Sequence, residues 1–231
     1  MRFSMILVLA LMAPSAFAQN KPAHAKKSKV AAEVIQLDTL ASKIDWVGKK
    51  VSGEHKGTVM FKEGHFDIKD NTIASGEVVI DLNTITNSDL ADADYNKKLV
   101  GHLKSEDFFN VEKFPTASFK ITKFTESHNF APGDTNAVAK GTLTIRGVSK
   151  PAEVKLFYTP KDGGFEAKGK MEVDRTQFGV KYNSKKFFSA AKLGDKMIND
   201  KFDLDLTIVA SKAIIPPSGE KGSAEAPAKK K

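Results

Sequence analysis

The stretch FDLDLTIVA, residues 202–210, decides the fold class. Its apolar side is formed by Phe202, Leu204, Leu206 and Ile208, and its polar side by Asp203, Asp205 and Thr207. Alternation with period two is typical of a strand with one buried face and one solvated face. Strands of that kind belong to antiparallel sheets, because strands of parallel sheets are usually buried on both faces.

Seven further segments alternate in the same way. They are residues 42–48, 57–62, 77–82, 117–122, 141–146, 152–158 and 165–174. Glycine-containing turns are predicted at Glu63-Gly64, Pro132-Gly133-Asp134 and Asp162-Gly163-Gly164. Helical character is confined to Ser88–Lys104, with a short irregular stretch at Ser184–Asp195. The pattern predicts an all-β domain of eight antiparallel strands, as a closed barrel or a sandwich, with one or two short helices.

The phase of each segment predicts which side chains share the interior. We expect the following residues to point inward: Ile44, Trp46, Phe61, Val78, Ile80, Leu82, Phe119, Ile121, Leu143, Leu156, Phe202, Leu204 and Leu206. A register error of one residue would turn a whole strand outward, so this set tests the assignment. A barrel of about eight strands has room inside for side chains alone or for one small ligand.

The two ends of the chain differ from the middle. Residues 1–18 resemble a secretory signal peptide, with Arg2, an apolar run at Met5–Met12 and the small-x-small sequence Ala16-Phe17-Ala18. The apolar run is shorter than the ~20 residues of a membrane span. We predict cleavage after Ala18 and a periplasmic location. Residues 19–33 are predicted to form a basic tail, residues 34–211 the barrel domain, and residues 212–231 a disordered tail rich in lysine.

The net charge of +8 is concentrated in those tails. Residues 36–211 carry 26 lysine and arginine residues against 25 aspartate and glutamate residues, whereas residues 19–35 and residues 212–231 each carry +3. A nearly neutral domain argues against nucleic-acid binding, which requires a basic face on the fold. The tails instead suggest peripheral contact with an anionic membrane surface.

The sequence lacks the usual patterns of chemical sites. It has no cysteine, and its histidines, among them His55, His65 and His102, show no metal-binding spacing. A Gly-x-Ser-x-Gly elbow and a phosphate-binding glycine loop are also absent from the sequence. We therefore predict no cofactor, no metal site and no enzymatic activity.

Several aromatic residues fall outside the predicted strands. They are Phe108, Phe109, Phe114, Phe187 and Phe188. A narrow barrel cannot contain every bulky ring and remain close-packed. These rings are therefore expected either to cap or line one end of the barrel or to pack as ordinary core residues.

Four motifs in order resemble the YceI-like family. They are Trp46-x-Gly48-x-Lys50-x-x-Gly53-x-His55-x-Gly57, the sequence GHLKSEDFFNVEKFPTASF at 101–119, GTLTIRGVSKP at 141–151, and VDRTQFGV at 173–180 followed by Gly194-Asp195. The resemblance spans residues 34–210. It implies an extended, lipocalin-like eight-stranded barrel that is exported and holds a polyisoprenoid chain in an apolar tunnel.

The resemblance and the strand phases together suggest the binding residues. The expected tunnel lining is Ile44, Trp46, Phe61, Ile80, Leu82, Leu103, Phe108, Phe109, Phe119, Ile121, Leu143, Leu156, Phe178, Phe202 and Leu204. At the mouth, the candidates for contact with a head group are His55, Arg146, Arg175 and Lys185. The sequence does not decide which end of the barrel each candidate occupies.

Three functions follow as hypotheses. The first is an exported carrier of an isoprenoid lipid, of quinone or polyprenyl phosphate type, for transport, storage or sequestration. The second is a hydrolase or isomerase with the barrel as a hydrophobic substrate pocket and His55 or His102 paired with a carboxylate inside it. The third is a protein-binding module, which a barrel filled completely by side chains would favour.

Overall fold

A computed structural model describes residues 33–127, 131 and 134–212, and their core is a curved antiparallel sheet. It contains two α-helices, α1 at Ala93–Lys104 and α2 at Ala190–Leu193. The strands are β1 Glu33–Leu37, β2 Lys43–Lys50, β3 Gly53–Lys69, β4 Thr72–Asp81, β5 Thr116–Glu126, β6 Ala137–Ile145, β7 Val148–Lys161, β8 Gly164–Asp174 and β9 Ile198–Ser211.

The sheet closes on itself. From β2 to β9 each strand pairs with its neighbour in the sequence, and β9 pairs again with β2. β1 pairs with the far half of β3 and with the last residues of β9, so β1 and β2 share one position in the wall. The predicted eight-stranded antiparallel barrel with two short helices is confirmed. Closure removes the exposed edges that a sandwich would leave.

β1 was not predicted from the sequence. Its five residues are too few for alternation to stand out, although Ile35 and Leu37 point into the core and Val34 points outward. The turn to β2 is fixed by Asp38, whose carboxylate accepts hydrogen bonds from the backbone N–H groups of Leu40 and Ala41. Ser42, which is fully buried, accepts a hydrogen bond from the N–H of Val209 on β9 at 2.9 Å.

The predicted inward set is confirmed. Nine of its 13 members are buried, and the other four, Trp46, Phe202, Leu204 and Leu206, are half-buried and line the interior. The register of the seven predicted strands that contribute to this set is therefore right. The strands are longer than the alternating segments, because their ends continue beyond the buried part of the wall.

The turn predicted at Glu63-Gly64 is wrong. These residues lie inside β3, where the pairing with β4 shifts between Phe61 and Glu63. The β-bulge changes the inward phase from odd residues, such as Phe61, to even residues, such as Phe66. A Cβ at position 64 would lie 3.0 Å from Val78 Cγ1 and 3.1 Å from Leu37 Cβ, so a larger residue there would require these side chains to shift. The second predicted turn includes Pro132 and Gly133, outside the described residues.

The first helix is shorter than Ser88–Lys104. α1 begins at Ala93 because the Asp92 carboxylate accepts hydrogen bonds at 3.0 Å from the N–H groups of Asp94 and Tyr95. None of its residues is fully buried. The helix therefore packs against the end of the barrel as a partly exposed cover and contributes little to the core.

The two longest connections lie at one end of the barrel, which we call the mouth end. They run from Leu82 to Pro115, between β4 and β5, and from Arg175 to Met197, between β8 and β9. The hairpin turns at Val51-Ser52 and Arg146-Gly147 lie at the same end. Function in barrels commonly resides in such connections, which are positioned by a rigid wall.

The predicted signal peptide, most of the basic N-terminal tail and all but Lys212 of the C-terminal tail lie outside the described residues. Those predictions therefore stay predictions. Within the described part of the chain, no helix is long and apolar enough to cross a membrane.

Candidate ligand-binding tunnel

The barrel interior contains two neighbouring apolar cavities. The larger, of about 140 Å³, lies toward the mouth end, and the smaller, of about 90 Å³, lies toward the other end. Ile44, Ile80, Leu143 and Leu204 line both cavities. These four side chains therefore lie between the two cavities; we call them the constriction, and the two cavities together the channel.

The structure brings together 14 of the 15 predicted tunnel residues. The larger cavity is lined by Ile44, Trp46, Ile80, Leu82, Leu103, Phe108, Phe109, Leu143, Phe202 and Leu204. The smaller cavity adds Phe61, Phe119, Ile121 and Leu156. Phe178 is the exception. It is buried in the 3₁₀ turn Arg175–Phe178, beyond the end of β8, and within the described chain it lies outside the lining of both cavities.

Gly57 makes room for Trp46 in the wall of the larger cavity. Gly57 faces Trp46 across the β2–β3 pair, and a Cβ at position 57 would lie 2.9 Å from Trp46 Cζ2 and 1.9 Å from the carbonyl oxygen of Thr86. Gly48 lies two residues further along β2, close to Trp46 Cζ3. The indole N–H is buried and has no hydrogen-bond partner among the described residues.

The adjacent phenylalanines after α1 give part of the mouth end an aromatic lining. Phe108 and Phe109 both line the larger cavity, and the Phe109 ring lies 6.3 Å from that of Phe202 on β9. His102, Phe108 and Tyr182 form a ring cluster that joins the β4–β5 connection to the β8–β9 connection, with centroids 4.7 to 5.5 Å apart. The two connections therefore contact each other through these rings at the mouth end.

The other rings outside the strands do not line the tunnel. Phe114 lies beside the Arg146-Gly147 turn, where a Cβ on Gly147 would be 3.1 Å from Phe114 Cε1. Phe187 and Phe188 remain 45% and 38% exposed. Of the five rings considered in the sequence, only Phe108 and Phe109 therefore contribute to the cavity wall.

Arg175 lines the larger cavity, but its guanidinium group already donates hydrogen bonds to backbone carbonyls. It donates hydrogen bonds to the backbone carbonyls of Val180, Tyr182, Ile198 and Asn199, at 2.8 to 3.1 Å. Burial lowers the pKa of Arg175, and the nearby carboxylates of Asp200 and Asp174 act in the opposite direction. Four of its five N–H donors are used, so Arg175 holds the β8–β9 connection against β9 and has little capacity for a head group.

The other three head-group candidates lie outside the two cavities. His55 Nδ1 is 2.8 Å from Asp89 Oδ2, on the side of the barrel where the β4–β5 connection crosses β3. Arg146 donates hydrogen bonds to the backbone carbonyls of Glu106 and Phe108, and so stabilises the loop that carries Phe108 and Phe109. Lys185 lines a separate surface pocket beside Asp174. Their contact with a head group stays a prediction, because the sequence does not show the direction in which loop residues point.

Two lysines missed in the sequence lie at the rim of the larger cavity. Lys49 and Lys201 line it, and they form ion pairs with Asp203 at 2.8 Å and with Glu172 at 2.6 Å. The hydrogen bonds that the two lysines donate to those carboxylates raise the pKa of both lysines, so both are charged at neutral pH. Alternation places Lys49 and Lys201 on the outer face of the barrel. Because both lie near strand ends, their flexible side chains can still reach the rim of the larger cavity.

A model of the YceI-like domain family matches residues 35–210. The chain belongs to this family. The match covers the whole barrel, from β1 to β9.

Curated relatives from this family agree. The chain is 34% identical over 125 residues to Protein YceI of Escherichia coli O157:H7, which covers 51% of this chain and 60% of that protein. It is 30% identical over 148 residues to a UPF0312 protein of Shewanella denitrificans, covering 62% of this chain and 68% of the relative. The match to the Escherichia coli protein thus spans about three fifths of its length.

Two solved structures share the fold. BcnA of Burkholderia cenocepacia superposes with a TM-score of 0.56 at 20% identity, covering 76% of this chain and 99% of BcnA. A polyisoprenoid-binding domain of Saccharophagus degradans, implicated in plant cell wall breakdown, superposes with a TM-score of 0.50 at 12% identity, covering 77% and 98%. At these identities the similarity establishes the lipocalin-like YceI barrel.

The first YceI-like motif now has a physical explanation. Its Gly57 leaves room for the Thr86 backbone and for the Trp46 ring, and its His55 contacts the connection that crosses β3. Asp89, in that connection, accepts hydrogen bonds from His55 and from the backbone N–H of Lys56, both at 2.8 Å. The motif therefore holds the β4–β5 connection against β3 at the mouth end of the YceI-like barrel.

The histidine–carboxylate pairs required by the enzyme hypothesis exist, but they lie outside the two cavities of the barrel. His55 pairs with Asp89, and His102 Nε2 lies 3.0 Å from Asp107 Oδ2. Neither histidine lines either cavity. In the described ranges, no cluster of three or more histidine, aspartate or glutamate residues could hold a metal ion. The geometry therefore gives the second hypothesis no support.

Asp89→Asn is expected to destabilise the mouth end in a pH-dependent way. Burial would raise the pKa of Asp89, but hydrogen bonds from Lys56, His55 and Asn87 outweigh it and hold the pKa at about 2. The carboxylate therefore stabilises the fold above pH ~4, and this contribution is lost as the pH falls toward ~2. We expect the variant to lose about 1 kcal/mol of unfolding free energy at pH 7.

Urea unfolding at pH 7, 4 and 2 measures this effect. The difference in unfolding free energy between Asp89→Asn and the parent should become smaller at the lowest pH. Asp45→Asn, which alters an exposed ion pair with Lys43, is the control and should be nearly neutral throughout. A constant difference at all three pH values would contradict the assigned role of the Asp89 carboxylate.

Proposed function

We propose that this YceI-like protein holds an isoprenoid chain in its barrel for transport, storage or sequestration and catalyses no reaction. The observation that carries the proposal is the apolar channel formed by the two cavities and the shared constriction at Ile44, Ile80, Leu143 and Leu204. An isoprenoid tail offers only apolar surface. Its removal from water is favourable by about 25 cal/mol per Å².

The size of the channel indicates how a ligand is accommodated. Each cavity is smaller than the ~300 Å³ of a typical small-molecule site, and an apolar cavity of about 150 Å³ holds a molecule of benzene size. A longer chain therefore has to separate the side chains at the constriction. Leu204 is only half-buried, and leucine can change rotamer, so this residue is suited to move.

The lysines at the rim suggest where a head group lies. Lys49 and Lys201 carry charged ammonium groups beside the opening of the larger cavity, and Asn199 lines it as well. A phosphate or quinone oxygen at this end would meet hydrogen-bond donors while the tail extends toward the smaller cavity. The ligand class to test first is the one named for the Saccharophagus degradans domain of the same fold, a polyisoprenoid.

The proposed setting is the periplasm, reached after cleavage behind Ala18. The signal-like sequence of residues 1–18 supports export. The lysine-rich segments at both ends of the mature chain would add electrostatic attraction to an anionic membrane, the source of such lipids.

The test is to identify what the purified protein contains. Protein produced with its signal sequence in a bacterial host is extracted with organic solvent, and the extract is analysed by mass spectrometry. We expect an isoprenoid lipid in a stoichiometric amount, and reloading of the emptied protein by the same lipid. A protein that contains none, and takes up neither a quinone nor a polyprenyl phosphate when offered, would contradict the proposal.

A further inference from the structure

The positive charge of the barrel is concentrated in the β8–β9 connection at the mouth end. Residues 175–197, which connect β8 to β9, contain six lysine and arginine residues but only one aspartate. Their net charge of +5 contrasts with +1 for the whole of residues 36–211, so the rest of the barrel carries −4. Lys181, Lys185 and Lys192 in this connection are all exposed. Asp195 is its exposed acidic residue.

Two phenylalanines are held at the surface within this basic connection. The backbone N–H groups of Phe187 and Phe188 both donate to the carbonyl of Ser184 at 3.1 Å, and Ser184 is fully buried. The turn is therefore anchored, while its rings remain 45% and 38% exposed. Lys181 lies 5.0 Å from the Phe187 ring centroid, and Lys192 lies 5.7 Å from that of Phe188.

The same surface adjoins the opening of the tunnel. Val51, 58% exposed at the tip of the β2–β3 hairpin, donates its backbone N–H to the carbonyl of Met197, just before β9. The next residue, Ile198, and Lys201 line the larger cavity. Exposed apolar tips, lysines and tunnel opening thus lie at one end of the molecule. We call Val51, Lys181, Lys185, Phe187, Phe188 and Lys192 the mouth patch.

We propose that the mouth patch docks on an anionic lipid bilayer, so that the tunnel opens toward the membrane. Aromatic rings partition into the headgroup region, and neighbouring lysines are attracted by anionic lipids within about a Debye length. The combination matches an anionic lipid surface in both charge and polarity. This inference goes beyond the carrier function, because docking requires no ligand in the barrel.

A fluorescent label reports the orientation directly. Because the chain has no cysteine, Phe188→Cys and Leu40→Cys each give one attachment site for an environment-sensitive dye. Leu40 is 94% exposed in the turn at the opposite end of the barrel. With vesicles of phosphatidylglycerol and phosphatidylcholine, the dye at position 188 should shift to shorter wavelength and the dye at position 40 should not. Equal shifts, or none at position 188, would overturn the proposal.

Sedimentation with the same vesicles measures the binding. Phe187→Ala/Phe188→Ala should lower vesicle partitioning of the full chain about tenfold. Each charge reversal, Lys185→Glu or Lys192→Glu, should lower it at least about fivefold at low salt. Leu40→Ala and Lys69→Glu, at the far end, are the matched controls and should bind like the parent. Variants of the mouth patch that also bind like the parent would contradict docking through this surface.

Two further measurements distinguish docking through the mouth patch from binding through the tail and from self-association. If truncation after Ser211 abolishes vesicle binding while the dye at position 188 never shifts, the tail alone binds and the proposal fails. If that dye shifts with rising protein concentration in the absence of vesicles, a second copy of the chain covers the patch and the proposal also fails. Lipid uptake from detergent solution, unchanged in the patch variants, distinguishes failure of docking from failure of the carrier function.

Discussion

Leu204→Trp is expected to abolish isoprenoid uptake while leaving the barrel folded. Leu204 lines both cavities, and it pairs across the sheet with Trp46 on β2 and with Met171 on β8. The larger side chain would occupy the constriction and separate the two halves of the channel. Because a cavity lies on each side of position 204, the introduced indole has room. The loss of unfolding free energy from overpacking should therefore stay near the lower end of the usual ~1–3 kcal/mol.

Loading of the emptied variant with a quinone or polyprenyl phosphate, followed by extraction, measures this effect. We expect at least about a tenfold loss of bound lipid, which corresponds to about 1.4 kcal/mol of binding free energy. Asp205→Trp places the same side chain on the outer face of the same strand, where it removes only an exposed ion pair with Lys170. Full loading of a folded Leu204→Trp protein would show that the ligand does not pass the constriction.

Arg175→Met is expected to cause the largest loss of stability among the substitutions considered. The side chain is 4% exposed, and it serves four backbone carbonyls of the β8–β9 connection and of β9. Methionine fills part of the space but leaves those carbonyls without their donors. It also leaves the buried Asp200, 3.8 Å from the guanidinium, without its closest charge partner. Removal of one member of a buried charged pair typically costs about 3–5 kcal/mol.

Urea unfolding and amide hydrogen exchange test this role. Exchange should accelerate at Val180, Tyr182 and Ile198, while the far end of the barrel is less affected. Arg175→Lys should recover only part of the stability, because an ammonium group cannot reach carbonyls spread around a planar guanidinium. Arg146→Met, which removes a less buried arginine bound to two carbonyls, is the control and should cost about 1 kcal/mol. A similar loss for both variants would contradict the special role of Arg175.

Asp200 shows how the mouth end balances its charges. Its side chain is 8% exposed, and neither carboxylate oxygen has a hydrogen-bond partner among the described residues. Arg175 and Lys186 lie 3.8 and 3.9 Å away on two sides. Lys186 also donates to Asp174 at 2.7 Å. The β8–β9 connection is therefore fixed to β9 by the ion pairs of Asp200 as well as by the hydrogen bonds of Arg175.

The head-group candidates show that the sequence does not predict where side chains at strand ends and in connections point. Arg175 and Arg146 were chosen for their charge, but both use it on backbone carbonyls. Lys49 and Lys201 were missed because alternation placed them on the outer face, although they line the cavity rim. The direction of a side chain at a strand end or in a connection depends on neighbours that are distant in sequence. No local period encodes those neighbours.

The sequence by itself determined the strand class, the inward face of each strand and the apolar character of the interior. Alternation with period two is a local property, and one apolar face per strand has to be buried, so residues such as Ile44, Ile80 and Leu143 could be assigned from the alternation alone. Tertiary structure decided the closure of the barrel, the place of β1, the bulge at Glu63-Gly64 and the constriction at Leu204. These features depend on register and on contacts between distant strands, where close packing, such as that around Gly64, fixes a geometry that no single segment specifies.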